Sequence, residues 1–448
     1  MKKFFETFAN IWKIEELKNK ILLTLGLLLV YRFGTQVTLP GIDATRLQAL
    51  SDQTDQGIGW LINVFTGGAF SQASVFALGI MPYISASIVV QLMGIAVPYL
   101  QKLQNDGESG RKKMTQITRW LTIGITLIQG PGYIYNLYKQ LPPDAFLLGF
   151  DDFSFLFSSV LILTTGTVFA MWLGEKITDK GIGNGISLLI MVGILANLPQ
   201  SFIQEIQSRL AVGNGGPIMI VFEIIIWLLI IIACILLTMA VRKIAVQYAR
   251  RSASGEYDAS SVNGNRQWIP LKLNASGVMP IIFAQAIMFI PAAVAGLSSS
   301  DTAQSITATF SNIFGWEYNL VFALLIIIFT YFYTAITVPT NKMADDLKRS
   351  GGFIPGVRPG AETADYLDRI MSLITFPGSL FLAIIAIFPA IAVSLLGIQQ
   401  GWAMFYGGTS LLIMVSVAID TIQQVNSYLL NKQYDGLMKS GKNRKAIA

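Results

Sequence analysis

The sequence predicts an all-α membrane protein with ten transmembrane helices. Three observations carry this prediction: 53% of the 448 residues are apolar, only 13% are charged, and charge-free runs longer than twenty residues recur along the chain. Four such stretches are 73–101, 273–300, 318–341 and 370–419. A helix in a water-soluble core needs a polar face, and these runs have none, so we interpret them as membrane spans.

Ten windows of about twenty apolar residues have the length that a bilayer requires. They lie near 21–39, 76–98, 118–138, 153–173, 182–203, 217–241, 273–297, 318–340, 370–396 and 403–425. Lys18 and Lys20 precede the first window, as in a signal peptide. No small-x-small cleavage site follows that window, so we expect an uncleaved span.

Positive charge predicts how these spans are oriented. If the N-terminal tail is cytoplasmic, 28 of the 32 Lys and Arg residues fall on the cytoplasmic side, and Arg46, Lys139 and Arg209 fall on the opposite side. Such a split follows the positive-inside rule. Both tails are basic, so both termini are predicted to be cytoplasmic, which requires an even number of spans.

The segment 213–217, GNGGP, divides the ten windows into five and five. With an odd number of spans each, two related halves would run in opposite directions and build a pathway along their interface. We therefore predict an N-terminal half over 1–212, a hinge at 213–217 and a C-terminal half over 218–448. An ordinary flexible turn at GNGGP is an equal alternative.

Several kinds of chemistry are excluded by composition. The chain has no His and one cysteine, Cys234, so it offers neither His-based catalysis nor a His-ligated metal site nor an intrachain disulfide. GESG at 107–110 resembles a serine-protease string, but no His is present to activate Ser109. GLMKSGKN at 436–443 lacks the Ser or Thr of a nucleotide-binding loop. We expect no enzymatic activity and no cofactor.

Charges inside the spans are few. Glu223 and Asp420 lie within predicted spans, and Arg32 lies near the end of the first. Intramembrane charge usually marks ion or substrate transport, and a coupled transporter usually needs more than this. A secondary transporter of a small solute is the alternative function, and an intramembrane protease would need a nucleophile–base pair or two facing aspartates.

Residues 57–75 are helix-compatible but too polar for a span, and they lead directly into the second window. A short element at membrane depth is tolerated only where protein or a water-filled cavity surrounds it. This segment therefore either enters a funnel from outside or lies on the surface. The pairs Ile80 with Ile84 and Ile186 with Ile190 each stack on one helix face, where lipid or core contact is the usual role.

Eight strings along the chain resemble the SecY family, the central subunits of bacterial protein-translocation channels. They are LPGID (39–43), TGGAFSQAS (66–74), ALGIMPYISASI (77–88), GESGRKK (107–113), GIGNGIS (181–187), LNASGVMPIIFA (273–284), GGFIPGVRPGAETADYLDRI (351–370) and GGTSLLI (407–413). The resemblance covers essentially the whole chain. It implies two inverted five-helix halves around an hourglass pore, with a short re-entrant plug helix at about 58–75.

The resemblance also implies functional residues. The implied pore ring consists of Ile80, Ile84, Ile186, Ile190, Ile282 and Ile413. The implied plug residues are Asn63, Phe65, Gly67, Gly68 and Phe70. The implied lateral-gate residues are Gln91 and Gln285, although a satisfied interhelical hydrogen bond is an equal interpretation of Gln285. The implied docking residues are Arg250 and Arg251 in the cytoplasmic loop 242–272, and Arg358 in the loop 341–369.

The same resemblance implies that the chain would be a protein-conducting channel of the bacterial cytoplasmic membrane. It would pass unfolded secretory polypeptides outward and release hydrophobic segments sideways into lipid. The implied partners are SecE-like and SecG-like small membrane subunits, the SecA motor ATPase, the ribosome, signal sequences and nascent polypeptides, SecDF, YidC and membrane lipids. The chain itself holds no nucleotide site, so the driving force must come from outside it.

Overall fold

The structure is a computed structural model that describes residues 12, 14–47, 63, 65–142, 145–146, 152–211, 216–248, 266–295, 309 and 312–445. A helix lies in each of the ten predicted windows. The helices of the first part of the chain are α1 Glu15–Gly34, α2 Met81–Ala96, α3 Pro98–Asn105, α4 Gly107–Gln140, α5 Asp152–Lys180, α6 Gly185–Leu210 and α7 Gly216–Met239. They are followed by α8 Met279–Ala295, α9 Trp316–Thr337, α10 Thr340–Arg349, α11 Ala361–Leu396, α12 Gln400–Ala403 and α13 Gly408–Lys445.

Within the described residues, six helical segments are long and apolar enough to cross a membrane. They are α5, α6, α7, α11, the stretch Trp316–Arg349 that contains α9 and α10, and the part of α13 over Gly408–Leu430. The pair α2 and α3 adds a seventh if it is one broken span. The predicted windows on α1, α4 and α8 are helical, but α8 has only 17 residues and the other two carry more polar or charged side chains.

The second predicted window ends in a sharp bend. The segments Met81–Gly94 and Pro98–Gln104 meet at 101°. Proline disfavours helical backbone in the residue before it, and Val97 is extended, with φ −102° and ψ 114°. The apolar run 73–101 therefore contains a helix break that hydropathy does not reveal.

The loops predicted to be cytoplasmic also contain a small sheet beside the helices of this helical fold. Strands β1 Val241–Tyr248, β2 Arg266–Lys272 and β3 Gly352–Phe353 form an antiparallel sheet in the order β2-β1-β3. In β1 the side chains of Ile244 and Val246 are buried, and their alternation with more exposed neighbours is the pattern of a strand with one covered face.

The chain divides into two compact units, Met1–Glu205 with Val417–Ala448, and Ile206–Ser416. In the first unit α4 packs against α2, α3 and α5, while α1 packs against α5. In the second unit α9 packs against α8 and α11, and α10 and α7 pack against α11. The predicted halves and the hinge at 213–217 stay predictions, and residues 212–215 lie outside the described part of the chain.

The string LPGID joins α1 to the core of the first unit. Leu39 and Ile42 are buried beside Ile134 of α4. The carboxylate of Asp43 accepts hydrogen bonds from the backbone N–H of Thr45 at 3.0 Å and from its hydroxyl at 2.8 Å. These bonds favour the charged form and lower the pKa of Asp43 below its usual value.

Candidate functional site

The plug turn, defined as Asn63 and the segment 65–71, folds back on Asn63. The Asn63 carbonyl accepts from the Gly68 N–H at 2.8 Å and from the Thr66 hydroxyl at 3.2 Å. The Asn63 side-chain oxygen accepts from the Ser71 N–H at 3.0 Å. Asn commonly closes turns in this way. Of the described residues, Asn63, Phe65 and Thr66 are helical, and the chain continues as turns from Gly67 to Ala73. Residues 58–62 and 64 lie outside the described residues.

Gly67 and Gly68 give the plug turn its shape. Their φ angles are +68° and +90°, in a region that costs a residue with a side chain about 1–2 kcal/mol. Gly67 is also pressed against Gly193 of α6, since a Cβ at Gly67 would lie 2.9 Å from the Gly193 Cα. The two glycines therefore serve both the turn and a close backbone contact.

Two side chains from outside the plug turn bind its backbone. The hydroxyl of Tyr133 in α4 donates to the Phe70 carbonyl at 2.9 Å, and the two rings lie 4.9 Å apart. The guanidinium of Arg32 in α1 donates to the Gly67 carbonyl at 2.5 Å. Phe65 is buried. The five predicted plug residues therefore share one turn that α1, α4 and α6 hold in place.

Four of the six predicted pore-ring isoleucines belong to the first unit. Ile80 immediately precedes α2 and is buried, and the Ile84 N–H donates to its carbonyl at 3.0 Å. Ile186 and Ile190 lie in the first turns of α6. Ile190 is buried, while Ile186 packs against Gly174 of α5, whose added Cβ would meet it at 2.8 Å.

The other two pore-ring residues belong to the second unit. Ile282 lies in the first turn of α8 and is partly buried, and Ile413 in α13 is buried. The convergence of all six isoleucines on one axis stays a prediction.

The two predicted gate glutamines differ in their surroundings. The amide of Gln91 in α2 donates to the Ser87 hydroxyl at 3.1 Å, one helical turn earlier. Gln285 is buried in α8. Their role at a lateral gate stays a prediction, and so does the alternative of an interhelical hydrogen bond for Gln285.

Arg358 has a hydrogen-bonded backbone and a solvent-exposed side chain. Its carbonyl accepts from the Thr363 hydroxyl at 2.8 Å, while its side chain is 87% exposed. The guanidinium lies 3.6 Å from the carboxylate of Glu362, which is also exposed. Exposed pairs of this kind are weak, so the guanidinium can exchange partners at little cost. Arg250 and Arg251 lie outside the described residues.

Two charges near the predicted hinge form a buried pair that sequence reasoning missed. Arg209 at the end of α6 lies 2.6 Å from Glu223 of α7, with side chains 9% and 1% exposed. Arg209 also donates to the Leu396 carbonyl at 2.9 Å. The signal was present, because opposite charges near the same end of consecutive antiparallel spans are placed to meet. Asp420 lies within the candidate span Gly408–Leu430 of α13, as expected, and its side chain is exposed in the structure. Over the described residues no acidic or cysteine cluster could hold a metal ion.

Comparison with known proteins decides the family. The sequence model of the SecY family matches residues 74–422. Protein translocase subunit SecY of Streptomyces scabiei is 39% identical over 443 residues, which is 96% of this chain and 99% of that protein. The chain belongs to the SecY family. SecY of Bacillus subtilis, also named Protein translocase subunit SecY, is 40% identical over 446 residues, which is 97% of this chain and all of that protein.

Solved structures confirm the predicted SecY fold class of a helical, multi-spanning membrane protein. One neighbour was reported in work on how the plug domain of the SecY protein stabilises the closed state of the translocation channel. It has a TM-score of 0.58 at 17% identity and covers 91% of each chain. Another is Sec61 in the canine ribosome-channel complex, with a TM-score of 0.55 at 16% identity and the same coverage.

Proposed function

We propose that this chain is a protein-conducting channel. It passes unfolded secretory polypeptides across the bacterial cytoplasmic membrane and releases hydrophobic segments laterally into the bilayer. The observation that carries this proposal is identity of about 40% over nearly the whole chain to protein translocase subunits. The same sequence identity argues against the alternative of a small-solute transporter. None of the described residues favours that alternative.

In the proposed resting channel, six isoleucines form the constriction and the plug turn closes the outer funnel. The isoleucines are Ile80, Ile84, Ile186, Ile190, Ile282 and Ile413. A narrow aliphatic collar holds no favourable water, so it dewets and blocks ions. Branched side chains still yield around a passing peptide without offering it a specific partner. We place Gln91 and Gln285 at the lateral gate, where a polar group in an apolar seam biases the gate toward opening.

The driving force is proposed to come from docked partners rather than from catalysis by this chain. Arg358 is exposed on a turn that Pro355 and Pro359 stiffen, and an arginine fork binds carboxylates or phosphates in two-point fashion. We propose that it docks the SecA motor, and that the ribosome uses the same face. SecE-like and SecG-like subunits, SecDF, YidC and lipids complete the proposed set of partners.

The proposed orientation has both termini in the cytoplasm, because 28 of 32 basic residues then face that side. The two predicted halves, 1–212 and 218–448, would then rock about 213–217. Their inverted arrangement gives a pathway at the interface without any need for charged residues along it.

A jammed export substrate tests the function. A photo-crosslinker at position 190 should react with a polypeptide stalled in the channel. The same probe at Ile203, which is 54% exposed on α6, should react with lipid instead. Equal labelling at both positions, or substrate labelling at 203 alone, would contradict the proposal. Ion-coupled solute uptake by liposomes that contain this chain alone would favour the transporter.

A further inference from the structure

Arg32 reaches from the last turn of α1 to the backbone of the plug turn. Its guanidinium donates to the Gly67 carbonyl at 2.5 Å and to the Thr35 hydroxyl at 3.4 Å. Thr35 in turn donates to the Arg32 carbonyl at 2.7 Å, which ties the two residues together. A cation is favoured at the end of a helix, where backbone carbonyls lack partners. The side chain is therefore held in place before it meets the plug.

Gly67 is confined on both sides. A Cβ added at Gly67 would lie 3.2 Å from a terminal nitrogen of Arg32 on one side. On the other side it would lie 2.9 Å from the Cα of Gly193. Within the described residues, no carboxylate lies within ion-pair distance of Arg32. The charge of Arg32 is thus directed at a neutral carbonyl of the plug rather than at an acidic partner.

We propose that Arg32 is a latch that holds the plug seated and sets how readily the resting channel opens. The inference rests on the proposed channel function and on the plug assignment. A hydrogen bond from a charged donor is roughly twice as strong as a neutral one. The Arg32 contact therefore outweighs the neutral bond that Tyr133 makes to Phe70. When the plug leaves, the guanidinium loses this acceptor, and that loss opposes spontaneous opening.

The test compares variants of the complete channel, with its small partner subunits, in planar bilayers. Arg32→Gln should raise the resting open fraction about tenfold, the effect of losing one charge-assisted hydrogen bond. The resting open fraction of Arg32→Lys should lie between those of Arg32→Gln and the wild type. The lysine ammonium keeps the positive charge but lacks the planar, forked donors of the guanidinium. Arg46→Gln is the matched control, since Arg46 is an exposed arginine in the 3-10 turn Ala44–Arg46, and it should behave as wild type.

A second readout separates a latch from general damage. Export of a substrate with a weakened signal sequence should increase in Arg32→Gln, and a gain of transport cannot come from a misfolded channel. If Arg32→Gln does not assemble, the resting conductance and the weak-signal export of Arg32→Lys test the latch instead. Resting conductance and weak-signal export at the wild-type level in the variant that assembles would overturn the latch.

The same bilayers distinguish this failure from failure of the proposed function. A stalled export substrate is added to every preparation and should open the wild type and all variants. Wild-type channels that stay closed with substrate would contradict the channel function itself. Channels that open with substrate, but in which Arg32 substitutions change nothing at rest, would overturn the latch alone.

Discussion

Replacing Gly193 by alanine is expected to unseat the plug turn from α6. The new Cβ would lie 3.0 Å from the Phe65 carbonyl oxygen and 3.2 Å from the Gly67 nitrogen. Both are backbone atoms of a turn that Arg32 and Tyr133 bind, so neither can rotate away. Crowding of this kind costs roughly 1–3 kcal/mol. Alanine in place of glycine within a helix returns about 0.5–1 kcal/mol.

The two contributions act on different equilibria. The helix gain is present whether the plug is seated or displaced, so it cancels from plug opening, and only the crowding remains. Resting conductance should therefore rise about fivefold to 100-fold, at roughly 1.4 kcal/mol per factor of ten. The free energy of unfolding contains both terms and should fall by less, about 0–2 kcal/mol.

Gly124→Ala in α4 is the control, because a Cβ there meets no atom within 4 Å. Gly124→Ala should stabilise its helix in the same way and leave the resting conductance unchanged. Single-channel recording at rest measures the first quantity, and thermal unfolding in detergent measures the second. If Gly193→Ala conducts no more than Gly124→Ala, the close contact between the plug turn and α6 does not control closure.

Three further predictions follow from the proposed pore, the docking face and the buried ion pair. Ile84→Asn and Ile282→Asn should raise resting ion conductance, because amides hydrate the collar; unchanged single-channel and dye-leak measurements would count against the ring. Arg358→Glu should assemble normally and stop motor-driven export by charge reversal, and normal export by inverted vesicles would refute that role. Glu223→Gln removes the buried carboxylate that lies 2.6 Å from the Arg209 guanidinium and should cost about 3–5 kcal/mol of stability in thermal unfolding. Glu108→Gln, which breaks an exposed helical pair, should cost below about 0.5 kcal/mol, and equal losses would contradict the argument.

Hydropathy predicts the helices well because a bilayer imposes a simple requirement on length and composition. Each of the ten predicted windows contains a helix. The same averaging hides features decided by single residues. The bend at Val97 and Pro98 lies inside an uninterrupted apolar run, and only the proline indicates it. The strand Val241–Tyr248 alternates in burial, but the basic residues of its segment indicate a docking loop rather than a strand.

The plug and ring residues followed from resemblance in sequence, whereas the contacts that hold the plug did not. A resemblance identifies Gly67 but says nothing of the Arg32 side chain that binds its carbonyl. Likewise, the sequence places Arg209 in an outer segment and Glu223 within a span, and it does not show that the two form one buried pair. Partners distant in sequence, such as these, depend on the three-dimensional path of the chain.

The small sheet joins the two loops predicted to be cytoplasmic into one mechanical unit. Strand β3, from the loop that carries Arg358, is bonded to β1, and β1 follows α7 after a single residue. Beneath the sheet, Ile244 and Val246 share a core with Leu367 of α11. A pull on Arg358 would therefore reach the ends of α7 and α11 at once, so under the proposed docking a motor bound at this one exposed arginine would act on both helices together.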